Sequence, residues 1–176
     1  MPKSATLRYQ TTSTRLNGPR LYASLVLPSY STDALISFVI ALPVILLCVA
    51  IHEIAHGYSA LWLGDPTGRM TGKLSLNPLR NLDPLGSSMF VISWLISGGS
   101  FIFGWSSYAP IQPRFFDDPP RAYAVVSAAG PIANILLSIP FAALLVHLNL
   151  PDSIGRTVLY DLFIINIVLF VINLIP

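Results

Sequence analysis

The chain has 176 residues, of which 53% are hydrophobic and 10% charged, with a mean hydropathy of +0.67 and a formal net charge of +2. Soluble domains carry about 25% charged residues, so this composition describes a membrane protein with length for one domain. A net charge this small, without any Lys/Arg-rich run, argues against a nucleic-acid partner, and a single cysteine, Cys48, rules out an intrachain disulfide.

Residues 1–33 carry Lys3, Arg8, Arg15 and Arg20, many Ser and Thr, and no acid until Asp33. They are expected to form a flexible tail, either an organelle transit peptide or a plain disordered extension. No typical cleavable secretory signal is visible, because the first apolar stretch is too long. Residues 34–176 are expected to form one membrane core. Its apolar stretches cover 34–63, 85–103, 122–148 and 158–175. As a helix the first is about 45 Å long, against roughly 30 Å of hydrocarbon, so it can span and still protrude.

Inside that first stretch lies Ile51-His52-Glu53-Ile54-Ala55-His56. Ionisable side chains in an apolar span are costly and need a reason. On a helix, residues four apart share a face, so His52 and His56 can direct ring nitrogens at one point. Zinc suits that point: catalytic sites hold it with three protein ligands at roughly 2.0–2.2 Å and leave a position for water. Glu53 is placed to take a proton from that water, which is the mechanics of H-E-x-x-H.

The next segment, Thr67 to Leu76, reads TGRMTGKLSL, with apolar Met70, Leu74 and Leu76 at even positions. The alternation predicts either a small β-hairpin after the first helix, whose free edge could pair with an extended peptide, or an ordinary surface connection. Asn77-Pro78 ends it. Residues 85–103 differ from the other apolar stretches, because Gly86, Ser87, Ser88, Ser93, Ser97, Gly98, Gly99 and Ser100 interrupt them. Such a segment is predicted to be re-entrant, tolerated at membrane depth only where protein or a water-filled cavity covers its backbone. The predicted fold class is therefore all-α and polytopic: three spanning helices, one Gly/Ser-interrupted re-entrant segment and a small β-hairpin.

From about residue 36 onward the chain resembles the site-2 protease family of intramembrane zinc metalloproteases, specifically its small bacterial-type members. The resemblance rests on His52-Glu53-Ile54-Ala55-His56-Gly57, on Gly72 to Pro78 followed by Asp83-Pro84-Leu85-Gly86, and on Gly104-Trp105 with Pro110 and Pro113. Ala129-Gly130-Pro131-Ile132-Ala133-Asn134 and the closing Asn173-Leu174-Ile175-Pro176 complete it. It implies a zinc endopeptidase that cuts a peptide bond in or near a transmembrane helix of another protein, with His52 and His56 as metal ligands and Glu53 as general base. It further implies that Asn134 helps hold the substrate or the developing oxyanion. Read from the residues alone, Asn134 is equally a polar group hydrogen-bonded between helices. The family also implies a catalytic end facing the cytosol and a multi-pass protein of the cell membrane. The Lys/Arg counts on the two sides are tied and do not orient the chain.

Two departures stand out: Trp105-Ser106-Ser107-Tyr108 replaces the common Trp-Ala-Lys-Pro, and Asn81 stands where many relatives have histidine. The family's third zinc ligand, an Asp-Gly aspartate a few residues after Asn-Leu-Ile-Pro, is not within residues 1–176. His147 and Asp161 are expected to lie too far from His56. Cys48 is about 12 Å from it along the helix, and Asp65 and Asp83 are only reachable in principle. The expectation is an incomplete metalloprotease core with little or no activity in residues 1–176 alone. The alternative is an inactive, protease-like membrane scaffold that binds helical partners; a zinc hydrolase acting on a non-protein substrate is a third reading.

Overall fold

The computed structural model describes residues 30–81, 83–107 and 110–175, so nearly all of the predicted tail lies outside the described residues. Helix α1, Thr32–Trp62, starts where the Ser31 hydroxyl accepts the Ala34 N–H at 3.1 Å. Its end is set by Gly64 at φ 108°: the Gly64 N–H reaches the Leu61 carbonyl and the Asp65 N–H the Ala60 carbonyl. This double bond pattern with a left-handed glycine closes the last turn and satisfies its carbonyls.

No strand occurs among the described residues, and the predicted β-hairpin is not there. Helix α2, Thr67–Met70, takes its place. The cause is local. Buried Asp65 accepts the Thr67 N–H at 2.9 Å and the Thr67 hydroxyl at 2.5 Å, which starts a helical turn. Gly72 at φ 70° then stops it, with the Lys73 N–H on the Gly68 carbonyl. Three apolar residues at even positions could not outweigh the Asp65 side-chain turn and the Gly72 stop. Helix α3, Pro78–Asn81, leads into α4, Pro84–Ile96, whose N-cap Asp83 accepts the Gly86 N–H at 2.6 Å.

After α4 the chain turns at Gly98 and Gly99, both at positive φ, and runs back beside the helix in extended form. Ser93 and Ser97, one turn apart, serve this returning backbone. Each hydroxyl takes an N–H and gives its own proton to a carbonyl: Ser97 to Phe101, both at 3.0 Å, and Ser93 to Phe103, at 2.8 and 3.1 Å. At the open end, a Cβ on Gly86 would stand 2.3 Å from the Trp105 carbonyl oxygen, so only glycine permits the approach. The Ser107 N–H bonds the Asn81 carbonyl, which puts entry and exit side by side. At the tip Trp94 stacks on Tyr30 and Phe38 at 4.7 and 4.4 Å, and the Tyr30 hydroxyl donates to the Leu95 carbonyl.

A 3-10 turn, Pro113–Phe115, precedes α5, Pro119–His147, which is N-capped by Asp118 and contains Pro131 and Pro140. Helix α6, Ile154–Ile172, follows a short connection and starts at Ser153. The helices α1, α5 and α6 pack together. All three are long and apolar enough to cross a membrane. Their polarity is inverted relative to a soluble bundle: Asn134 and Asn166 are 0% exposed, while Val39 and Val146 are 67% and 76% exposed. Lipid makes apolar exteriors costless and buried amides useful as interhelical contacts.

Candidate metal centre

His52 and His56 lie on the face of α1 that meets α5 near Gly130. Their Nε2 atoms are 3.0 Å apart. Two imidazoles bound to one tetrahedral zinc at about 2.05 Å place their nitrogens about 3.3 Å apart, so the pair stands within a few tenths of an ångström of that spacing. The other ring nitrogens are each tied down. His56 Nδ1 is 2.6 Å from the Val126 carbonyl oxygen, and His52 Nδ1 is 2.5 Å from Asn134 Oδ1. A carbonyl oxygen only accepts, so His56 carries its proton on Nδ1 and turns the Nε2 lone pair toward His52. With His52 in the same tautomer, two lone pairs meet at 3.0 Å and repel unless a cation lies between them.

The surroundings fit a cation. A Cβ on Gly130 would stand 2.3 Å from His56 Nε2 and 2.7 Å from His52 Nε2, so only a glycine lets α5 come this close to both nitrogens without a side chain standing against them. Glu53 Oε2 is buried with no hydrogen-bond partner, an unstable situation for a carboxylate unless it faces a water or an ion. The donor set and the cradle therefore suit two of the ligands of a zinc ion. No group of three or more His, Cys, Asp or Glu that could hold a metal is found among the described residues.

The other candidates are engaged elsewhere or distant. Asp65 is 1% exposed and spends its second oxygen on the Gln112 N–H at 2.7 Å, so it fastens a loop. Asp83 caps α4. Cys48 is buried against Asn166 Nδ2 at 3.3 Å. His147 ends α5, seventeen residues or about 26 Å along the helix from Gly130. Asn134 uses both ends of its amide inside the protein, the oxygen on His52 and the nitrogen on Asn166 Oδ1 at 2.7 Å. Sequence reasoning did not single out Gly130 as a cradle, the Val126 carbonyl, or Asn166. The last was within reach, because Asn166 is a lone amide in the apolar run 162–172, the same signal that marks Asn134.

The sequence description of peptidase family M50 matches residues 40–153, which contain the whole histidine pair, Glu53, Gly130 and Asn134. The chain belongs to peptidase family M50. Two relatives agree with it. The protein named "Putative zinc metalloprotease YwhC" from Bacillus subtilis (strain 168) is 37% identical over 133 residues, covering 71% of this chain and 57% of that protein. "Putative zinc metalloprotease Rip2" from Mycolicibacterium smegmatis (strain ATCC 700084 / mc(2)155) is 29% identical over 102 residues, covering 58% of this chain and 38% of that protein. The chain thus matches little more than half the length of one curated relative and less of the other. No solved structure matches it. M50 membership fits the site-2 protease resemblance and the three helices that are long and apolar enough to cross a membrane.

Proposed function

We propose that this M50 chain provides the metal-binding and general-base part of a zinc-dependent intramembrane endopeptidase that cuts transmembrane segments of other membrane proteins. The observation that carries the reading is the pair of Nε2 atoms facing each other at 3.0 Å beside the Gly130 cradle, with the orphaned Glu53 carboxylate oxygen on the same helix. Held there, zinc would supply Lewis acidity toward the scissile carbonyl and toward a water molecule. Glu53 takes that water's proton and returns it to the leaving nitrogen, which is general base and then general acid catalysis. His52 and His56 are held by Asn134 and by the Val126 carbonyl in the orientation the metal needs. The amide of Asn134 is committed to this positioning, which favours it over a direct oxyanion contact. The hairpin of α4 and its returning segment is read as re-entrant, with its irregular backbone satisfied by Ser93 and Ser97 at membrane depth. The catalytic end of α1 faces the cytosol of a cell membrane in this reading.

With two imidazoles and no further ligand among the described residues, residues 1–176 alone are expected to hold zinc weakly and to show little proteolysis. The deciding test is therefore made on the gene product as the cell makes it, in proteoliposomes with a single-span reporter protein. Glu53→Gln is expected to keep zinc and to lower the cleavage rate about 10²- to 10⁴-fold. Unchanged cleavage would refute the catalytic assignment. No cleavage by the wild type, with reporter capture unaffected by Glu53→Gln, would support the scaffold reading instead.

A further inference from the structure

We infer that Asn166, on α6, is a positioning residue that sets the tautomer of His52 through Asn134 and so aims its Nε2 lone pair at the metal position. The chain of bonds starts at an atom with no freedom. The Leu162 carbonyl oxygen can only accept, and it lies 2.7 Å from the Asn166 amide, so nitrogen must face it. That fixes Asn166 Oδ1 toward Asn134, at 2.7 Å. An oxygen there obliges Asn134 to present its own nitrogen and to turn Oδ1 toward His52. His52 Nδ1, 2.5 Å away, must then carry the proton, leaving Nε2 bare. The second Asn166 N–H points at Cys48 Sγ at 3.3 Å, which pins the same amide to α1.

The three side chains of this relay are buried: His52 is 5% exposed, and both asparagines are 0% exposed. Water cannot substitute for a missing link. Without Asn166, Asn134 is free to flip and offer its nitrogen to His52, which moves the proton to Nε2 and closes the lone pair that a metal needs. His56 has no part in the relay, since the Val126 backbone holds it directly. A helix with no ligand of its own among the described residues thereby decides how a ligand on another helix is presented. Partners of this kind are worth about 10- to 100-fold in metal affinity.

The inference rests on the zinc reading for its purpose but not for its test, which uses the metal-free chain. Histidine is labelled with ¹⁵N, the chain is placed in detergent micelles, and long-range ¹H–¹⁵N spectra report which ring nitrogen is protonated. The wild type is expected to show both His52 and His56 protonated at Nδ1, with the bare Nε2 atoms moving apart from 3.0 Å to relieve their repulsion while no metal is present. In Asn166→Leu, His52 is expected to become a mixture while His56 is unchanged. In Asn166→Asp, whose neutral acid can donate to Leu162 and accept from Asn134, the His52 tautomer is expected to return. Zinc titration should follow, with affinity about 10- to 100-fold weaker for Asn166→Leu. An unchanged His52 in Asn166→Leu overturns the inference. Equal disturbance of His52 and His56 also overturns it, because that is the mark of a packing role. A wild-type gene product, as the cell makes it, with the His52 tautomer in place but no affinity for zinc supports the relay and defeats the metal reading.

Discussion

Replacing Gly130 by Ala adds one methyl group where α5 meets the two imidazoles of α1. Its carbon would stand 2.3 Å from His56 Nε2, 2.6 Å from His52 Cε1 and 2.7 Å from His52 Nε2, where ordinary contact begins at 3.4 Å. Relief requires α5 and α1 to separate by about 1.1 Å, the difference between 3.4 and 2.3 Å, or the imidazoles to turn out of place. Overpacking of this kind costs roughly 1–3 kcal/mol. The geometry adds a second effect. An ion bound to both nitrogens at about 2.05 Å lies no more than about 3.4 Å from the new methyl carbon, and on the facing side the two overlap. Gly130→Ala is therefore expected to weaken zinc binding at least about tenfold, the equivalent of 1.4 kcal/mol. The assay is competition against a chromophoric chelator in micelles. Gly155→Ala, whose Cβ meets nothing nearer than 3.9 Å, serves as the neutral control. Wild-type affinity in Gly130→Ala, with Gly155→Ala unchanged, would refute the placement of the metal beside Gly130.

Removing both hairpin hydroxyls, by Ser93→Ala with Ser97→Ala, strands the Phe101 and Phe103 N–H groups. At about 1–3 kcal/mol for each unsatisfied group, thermal unfolding in micelles should move down clearly, and an unchanged midpoint would show that the returning segment is held by something else. Asp65→Ala removes acceptors from Thr67 and Gln112 and should cost about 0.5–2 kcal/mol of stability while leaving zinc affinity alone. Loss of zinc with intact folding would make Asp65 a ligand after all.

The parts of the structure that local composition dictates were legible in the sequence. The apolar runs located α1, α5 and α6 to within a few residues, and the His52–His56 spacing put both imidazoles on one face of α1, because a helix converts spacing into direction. The Gly and Ser content of residues 85–103 announced a chain reversal. It did not reveal that one limb is the helix α4 and the other irregular extended backbone, since this depends on which serines meet which backbone groups. The β-hairpin is absent because alternation over three apolar residues is a weaker local signal than the side-chain turn at Asp65 and the left-handed turn at Gly72. What holds the histidines was not legible. The Val126 carbonyl is a backbone atom that carries no sequence signature, and the use of Gly130 as a cradle emerges only when α5 crosses α1. The Asn134–Asn166 pair joins residues 32 positions apart, and only packing reveals that their amides meet.

The most direct test of the account is X-ray absorption at the zinc edge on the purified gene product in micelles, wild type beside the His52→Ala, His56→Ala double variant. The expected result is zinc bound by two imidazole nitrogens at about 2.0–2.1 Å in the wild type, with the metal lost from the double variant. A zinc shell without imidazole, or equal zinc in both proteins, would contradict the assignment of His52 and His56 as the metal centre.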